Sequence, residues 1–457
     1  MQNQLPQALL LSSILLISGC LGIVESDGAG DHSFVIQEEY IFINSDGNNS
    51  VKFLESSNSE QIVLAGELCI DVDKECEVNV SDIETFSSNF HENWFVAGAE
   101  SKQMKISWFN HLSSDSLMKL TGIATSQEEI LLSGWFYSNL YLDSNIIATG
   151  NYLKQSFILH FSIDGNIEYI DTEFPQNFEI QGIHFGNDDL LKMFGRWHSI
   201  GGTNNSSTPQ SYASLYRMSS VGNWTELFSI ESDERPRFST FSYNKEYSWY
   251  TIFPCQNFGP CSTSLDGVGL DIPKYGETVI HILLKDELLV NLSLVTSSYS
   301  QGTFFHLFND NQNGTGTLFG WIGPSSIVGG MELPFSTQAI SHDEFATFSN
   351  PTVIADHLIS DVIIIDGVMY YSSQITTNGI PVANQFVATV DDSKISVLEI
   401  NGVDTVVINA IFYENDALFV SASICHQLSQ RCELKKPLMQ QPMPLLGNSA
   451  IIFKYSR

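Results

Sequence analysis

An apolar run that closes on glycine, in most cases with an aromatic residue close behind, recurs along this 457-residue chain. It appears as LAG ending at Gly66, LSGW at Gly134, MFGRW at Gly195 and LFGW at Gly320. The first three glycines are 68 and 61 residues apart, and the next gap of 125 holds two units of that size. SWYTIFPC near Ile252 fills it, and VMYYSSQI near Ser372 and ALFVSASIC near Ala422 extend the series to seven units. Between these markers, short β-branched and aromatic runs alternate with Gly, Asn, Asp and Ser clusters, as strands alternate with turns. A fixed period of this size in an all-β chain describes a small sheet that cannot bury both faces alone and must stack on its neighbours. The expected fold is all-β: a β-propeller, seven blades of four antiparallel strands, with six or eight blades also compatible with the short final units.

No Pro-rich or low-complexity linker follows residue 32, so residues 33–457 read as one propeller domain. The chain ends at AIIFKYSR, one strand short of a full blade, while SFVIQEEYIFI at 33–43 is a strand-like run ahead of the first unit. The N-terminal strand is expected to complete the last blade. Segment 156–170, SFILHFSIDGNIEYI, superposes on 213–227, ASLYRMSSVGNWTEL, and Asp164-Gly165 reads as a tight hairpin turn. The order apolar run, Gly, aromatic, variable hairpin, Asp-Gly-Asn and closing aromatic strand, best seen from Gly134 to Ile170, resembles the secreted prokaryotic β-propeller repeats called SBBP repeats. That resemblance implies a propeller in an extracellular setting and no defined chemistry.

The start of the chain sets the expected compartment. ALLLSSILLISGC is too short for an ordinary membrane span and the right length for a signal-peptide core. Ile17, Ser18, Gly19 and Cys20 resemble the prokaryotic lipoprotein lipobox, which implies removal of residues 1–19 and a lipid on Cys20. Two acyl chains would anchor the protein stably in the membrane. Residues 20–32 then form a lipidated, flexible tether. Before the apolar run only the α-amino group of Met1 is positive, which leaves the export route open. The expected location is the cell surface, outside the cytoplasm. Asn48, Asn79, Asn204, Asn205, Asn223, Asn291 and Asn313 sit in Asn-x-Ser/Thr and are glycosylation candidates in that setting.

Asp and Glu total 52 against 20 Lys and Arg, a formal net charge of −32. Such a field repels nucleic acid and anionic lipid, and it reads as a solvated acidic surface suited to salty water or, in a sharper form, as a face for cations or a basic partner. Between Lys285 and Lys394 there is no Lys or Arg, and eleven carboxylates fall in that gap.

Six of the seven cysteines form three pairs at one position of their units: Cys69 with Cys76, Cys255 with Cys261, and Cys425 with Cys432. Cys20 is left for lipid. The pairs read as local disulfides, each clamping the loop between the second and third strands of its blade. Asp71, Asp73 and Glu75 have the spacing of positions 1, 3 and 5 of a calcium loop and are the candidates for Ca2+, but Cys76 stands where the turn needs Gly, and a polar hairpin loop is the expectation there. No other cofactor is expected.

No Gly-x-Ser-x-Gly, His-Glu-x-x-His or phosphate-binding loop is present, so no catalytic residue is assigned. Two functional classes remain. The first is a non-catalytic, monomeric surface binding or scaffold protein for an extracellular protein or glycan. The second is a propeller enzyme or lectin acting on extracellular glycans. Convergence of Arg196, Arg217, Arg235 and Arg237 with carboxylates at one mouth of a central channel would favour the second; their dispersal would favour the first.

Overall fold

A computed structural model of the chain describes residues 35–456, interrupted at connecting segments of which 199–210 and 435–442 are the longest. Every regular element described is a β-strand, and every strand pairing is antiparallel. Among the described residues the strands group into seven sheets of at least four strands, besides one separate two-stranded ribbon. Their first strands are Asn48–Asn58, Met118–Thr125, Phe178–Phe185, Arg237–Tyr243, Phe304–Phe308, Val362–Ile365 and Val406–Glu414. Each sheet contacts the next in chain order, and the seventh contacts the first through Val406–Glu414 against Asn48–Asn58. Strand Val35–Ser45 pairs with Ser449–Ser456, Ile41 opposite Ile452, as the fourth strand of the seventh sheet.

The apolar runs are explained by burial on both faces. Successive side chains of a strand point to opposite faces, so Val63 enters the core shared with the second sheet while Leu64 enters the core shared with the seventh. Likewise Met193 packs toward the second sheet and Phe194 toward the fourth. A strand covered on both sides reads as a continuous hydrophobic run, and each such Leu or Ile contributes about 1.5–3 kcal/mol on burial. The recurrent glycine admits a ring: a β-carbon at Gly134 would lie 2.7 Å from Phe157 Cζ and 2.4 Å from the Lys119 carbonyl oxygen.

The Asp164-Gly165 turn forms as expected, with Gly165 at φ +79°. It also does something the sequence does not announce. Its carbonyls dock on the first sheet: Trp108 Nε1 donates to the Ile163 oxygen at 3.0 Å and Asn110 Nδ2 to the Gly165 oxygen at 2.8 Å.

Four sheets carry two extra strands on their outer edge. In each case these are a hairpin inserted between the second and third strands of the following sheet. Thus Thr263–Leu265 and Val268–Leu270, inserted in the fourth sheet, extend the third by pairing with Asn223–Ser232. The loop expected to stay within its own unit instead latches onto the preceding one.

Candidate functional site

The third sheet consists of Phe178–Phe185, Leu191–His198, Ser211–Ser220 and Asn223–Ser232 before that added hairpin. Cross-strand register aligns Trp197, Tyr212 and Glu231 in one row and Gly195, Ser214 and Ser229 in the next row on the same face. A third row holds Met193, Tyr216 and Glu226. The middle row is small while the rows beside it are large, and the sheet is therefore hollowed. The result is an open cleft of about 720 Å3.

Each wall has a local cause. The floor is Ser214 and Ser229, whose hydroxyls lie 2.9 Å apart. Trp197 and Tyr212 stand on one side, ring centroids 5.9 Å apart. Tyr216 stands on the other, edge-on to Phe178 at 5.7 Å. The outer end is closed by Asp266, whose Oδ1 accepts from the Ser229 amide at 2.9 Å. Asp266 and Gly267 form the hairpin turn, with φ of +48° and +80°, the left-handed pair that a two-residue I′ turn requires. The Cys255–Cys261 disulfide, Cα atoms 6.0 Å apart, sits at the entry to this hairpin.

The cleft is negative. Tyr212 Oη donates toward Glu231 at 3.5 Å. Burial, then Glu231 and Glu226, raise the Tyr212 phenol above its ordinary value. Burial pushes Tyr216 up to about 12, with Glu226 adding to it. A smaller cavity of about 300 Å3 shares Glu231 and Gly267 with the cleft and adds Asp233.

A second polar cluster gathers at the ends of three first strands. Burial, then the Glu414 carboxylate, pushes Glu55 up to about 7. Burial, then Glu55, pushes Tyr243 up to about 12, although 45% of Tyr243 is accessible: water reaches the ring, but protein surrounds it. Glu55, Tyr243 and Glu414 belong to the first, fourth and seventh sheets, and Glu55 feels the charge of Glu414 as Tyr243 feels that of Glu55. His184 stacks on Tyr243 at 4.8 Å and its Nε2 lies 2.9 Å from the Tyr250 hydroxyl.

Arg196 and Arg217 do not converge, and Arg235 is exposed. Glu179 bridges Arg196, at 2.9 Å, and Lys154, at 2.6 Å. Burial alone would raise Glu179, but these two cations hold it below its ordinary value. Arg217 pairs with Glu287, which also binds the buried Lys192. Because Lys192 aligns with Arg217 and Arg196 with Ala213, the two clusters lie four residues apart along the sheet, about 13 Å. Arg237 lies over the Phe253 ring at 4.9 Å.

Other expected sites fare unevenly. Cys69 and Cys76 are bonded, Cα atoms 6.1 Å apart, where the chain leaves the first sheet for its hairpin on the seventh. Asn79 and Asn223 are exposed, whereas Asn48 is 9% accessible. Asn291 donates to the Phe345 carbonyl. Glu75 is exposed, and no group of three metal-ligating side chains occurs among the described residues. Cys20, Asp71, Asp73, Asn204, Asn205, Asn313 and Cys425 lie outside the described residues, and Cys432 opens strand Cys432–Leu434 of the two-stranded ribbon. Sequence reasoning missed the cleft; its one local signal was the Asp266-Gly267 hairpin.

No protein-family model matches the chain, and no curated protein matches it. Among solved structures it is similar to the beta-propeller domain of the Trilobed protease from Pyrococcus furiosus, at TM-score 0.42 and 10% identity over 87% of this chain and 97% of that one. It is also similar to Pyrococcus horikoshii acylaminoacyl peptidase, at TM-score 0.42 and 10% identity over 87% of this chain and 52% of that one. Similarity at that level carries no information about activity.

Proposed function

We propose that the chain is a seven-bladed β-propeller, closed by strand Val35–Ser45 and held outside the cytoplasm by lipid on Cys20, that works without catalysis as a surface binding or scaffold protein. The ring reading draws support from the contact between the seventh and first sheets and from the Val35–Ser45 pairing. Two disulfides fit an oxidising compartment. The observation that carries the binding reading is the cleft of about 720 Å3 on the third sheet, a volume suited to a ligand and lined by aromatic rings with a few polar groups. The separation of Arg196 from Arg217 favours it over the glycan-directed alternative.

The test is capture. The full chain, held in detergent and immobilised, is exposed to cell-surface extract, and retained material is identified by mass spectrometry. A discrete protein released as salt is raised supports the reading; retained polysaccharide, or nothing, counts against it. Membrane partition tests the anchor, since Cys20→Ser should release the chain to the soluble fraction.

One observation favours the second class. A carboxyl near pH 7, as at Glu55, is suited to general acid–base work. Glycan turnover by the intact chain that Glu55→Gln abolishes would establish an enzyme.

A further inference from the structure

We propose that the cleft on the third sheet takes the side chain of a lysine or arginine from a partner polypeptide. The proposal rests on the binding reading above and gives it a ligand class. Aromatic faces carry negative potential and attract cations, and an ammonium or guanidinium seated among several rings gains from each. Here Trp197, Tyr212 and Tyr216 surround a floor of two small serines, and Glu226, Glu231 and Asp266 stand in the same lining. None of these three carboxylates is ion-paired with a described lysine, arginine or histidine. Their charge is turned into the cavity with no described cation to meet it. Burial chiefly raises the phenols of Tyr212 and Tyr216, and Glu226 and Glu231 add to it.

The shape and the whole-molecule charge select a polypeptide. The cleft is open along one side and runs into the smaller cavity, where Asp233 adds a fourth carboxylate beyond Glu231. An extended chain can place one basic side chain in the aromatic part and a neighbouring one against Glu231 and Asp233. A net charge of −32 steers such a partner toward the molecule, which governs encounter rate, while the ring-lined cleft governs register.

Titration calorimetry of the full chain in detergent tests this with a short peptide carrying two lysines, the same peptide with both lysines acetylated, and a neutral oligosaccharide. The expected result is one-to-one binding of the lysine peptide alone, weakened at least tenfold by Glu231→Gln and by Ser214→Leu, which fills the floor. Glu128→Gln, at an exposed position on the second sheet, should leave it unchanged. Should Ser214→Leu unfold, the isosteric Glu226→Gln with Glu231→Gln decides. Equal binding of the acetylated peptide, preference for the oligosaccharide, or equal loss in Glu128→Gln overturns the proposal. Retention of a surface protein by a folded Ser214→Leu variant would remove the cleft while leaving the binding function standing.

Discussion

The Phe178 ring lies across Gly195, so that a β-carbon at Gly195 would meet Phe178 Cζ at 2.4 Å and the Glu179 carbonyl oxygen at 2.8 Å. The ring could swing away, but the carbonyl belongs to a paired strand and cannot. Gly195→Ala should therefore cost about 1–3 kcal/mol, as other overpacked cores do. It should also press Phe178 into the cleft. A lowered urea midpoint at unchanged slope, together with weaker binding of the lysine peptide, is the expected outcome.

Acid should destabilise the fold through two buried histidines. Burial holds His111 down to about 4 and His281 down to about 3, the latter with His342 adding to the effect. Both sit below the ordinary value of 6.5. As pH falls below that value the unfolded chain takes up protons that the folded chain refuses. Each histidine then removes about 1.4 kcal/mol of stability per pH unit. Thermal unfolding followed from pH 7 to 4.5 should show this slope, and His281→Gln should make it shallower by one proton.

Glu55 should act with the opposite sign. Its folded value of about 7 exceeds the ordinary 4.5, because burial and Glu414 favour the neutral acid. The stability held by that neutral form is complete below pH 4.5 and is lost as pH rises to 7, at about 1.4 kcal/mol per unit. Glu55→Gln keeps the shape and removes the titration. It should raise stability at pH 8 and change little at pH 4.5, measured by denaturant midpoints.

Opening the Cys255–Cys261 bridge should loosen the cleft as well as the fold. In the chain-entropy model a closed loop of this size contributes about 2.5 kcal/mol. The double change Cys255→Ser with Cys261→Ser should cost that much. Because the hairpin beyond the bridge carries Asp266, faster amide exchange on Thr263–Leu265 and Val268–Leu270 should accompany the loss.

Removing Glu287 leaves two cations without the carboxylate they share, one of them Lys192, whose side chain is 6% accessible. Breaking a buried ion pair by removing one partner costs up to about 3–5 kcal/mol. Glu287→Ala should lower the urea midpoint accordingly, and Lys192→Met in the same chain should recover part of the loss.

The repeat was legible because it is local. Stacked sheets force two-sided burial, and two-sided burial writes itself as runs such as IVLAG and ILLSG, while the turn at Asp164-Gly165 needs left-handed φ and so shows its glycine. The pairing of Cys69 with Cys76 and of Cys255 with Cys261 was readable for the same reason, since each pair closes a short loop. The strand expected at 33–43 forms at Val35–Ser45.

The destination of the loops was not legible. A hairpin that extends the neighbouring sheet satisfies edge hydrogen bonds, and backbone groups carry no sequence signal for which edge they will meet. The cleft follows from such placement. Gly195, Ser214 and Ser229 are distant in sequence and become one hollow only when register aligns them, and Asp266 arrives from the next sheet. The chain by itself determined the sheet-forming units and the Cys69–Cys76 and Cys255–Cys261 staples, because those depend on neighbours in sequence. Only the tertiary structure decided where aromatic rings and carboxylates meet, because that depends on which strands lie side by side.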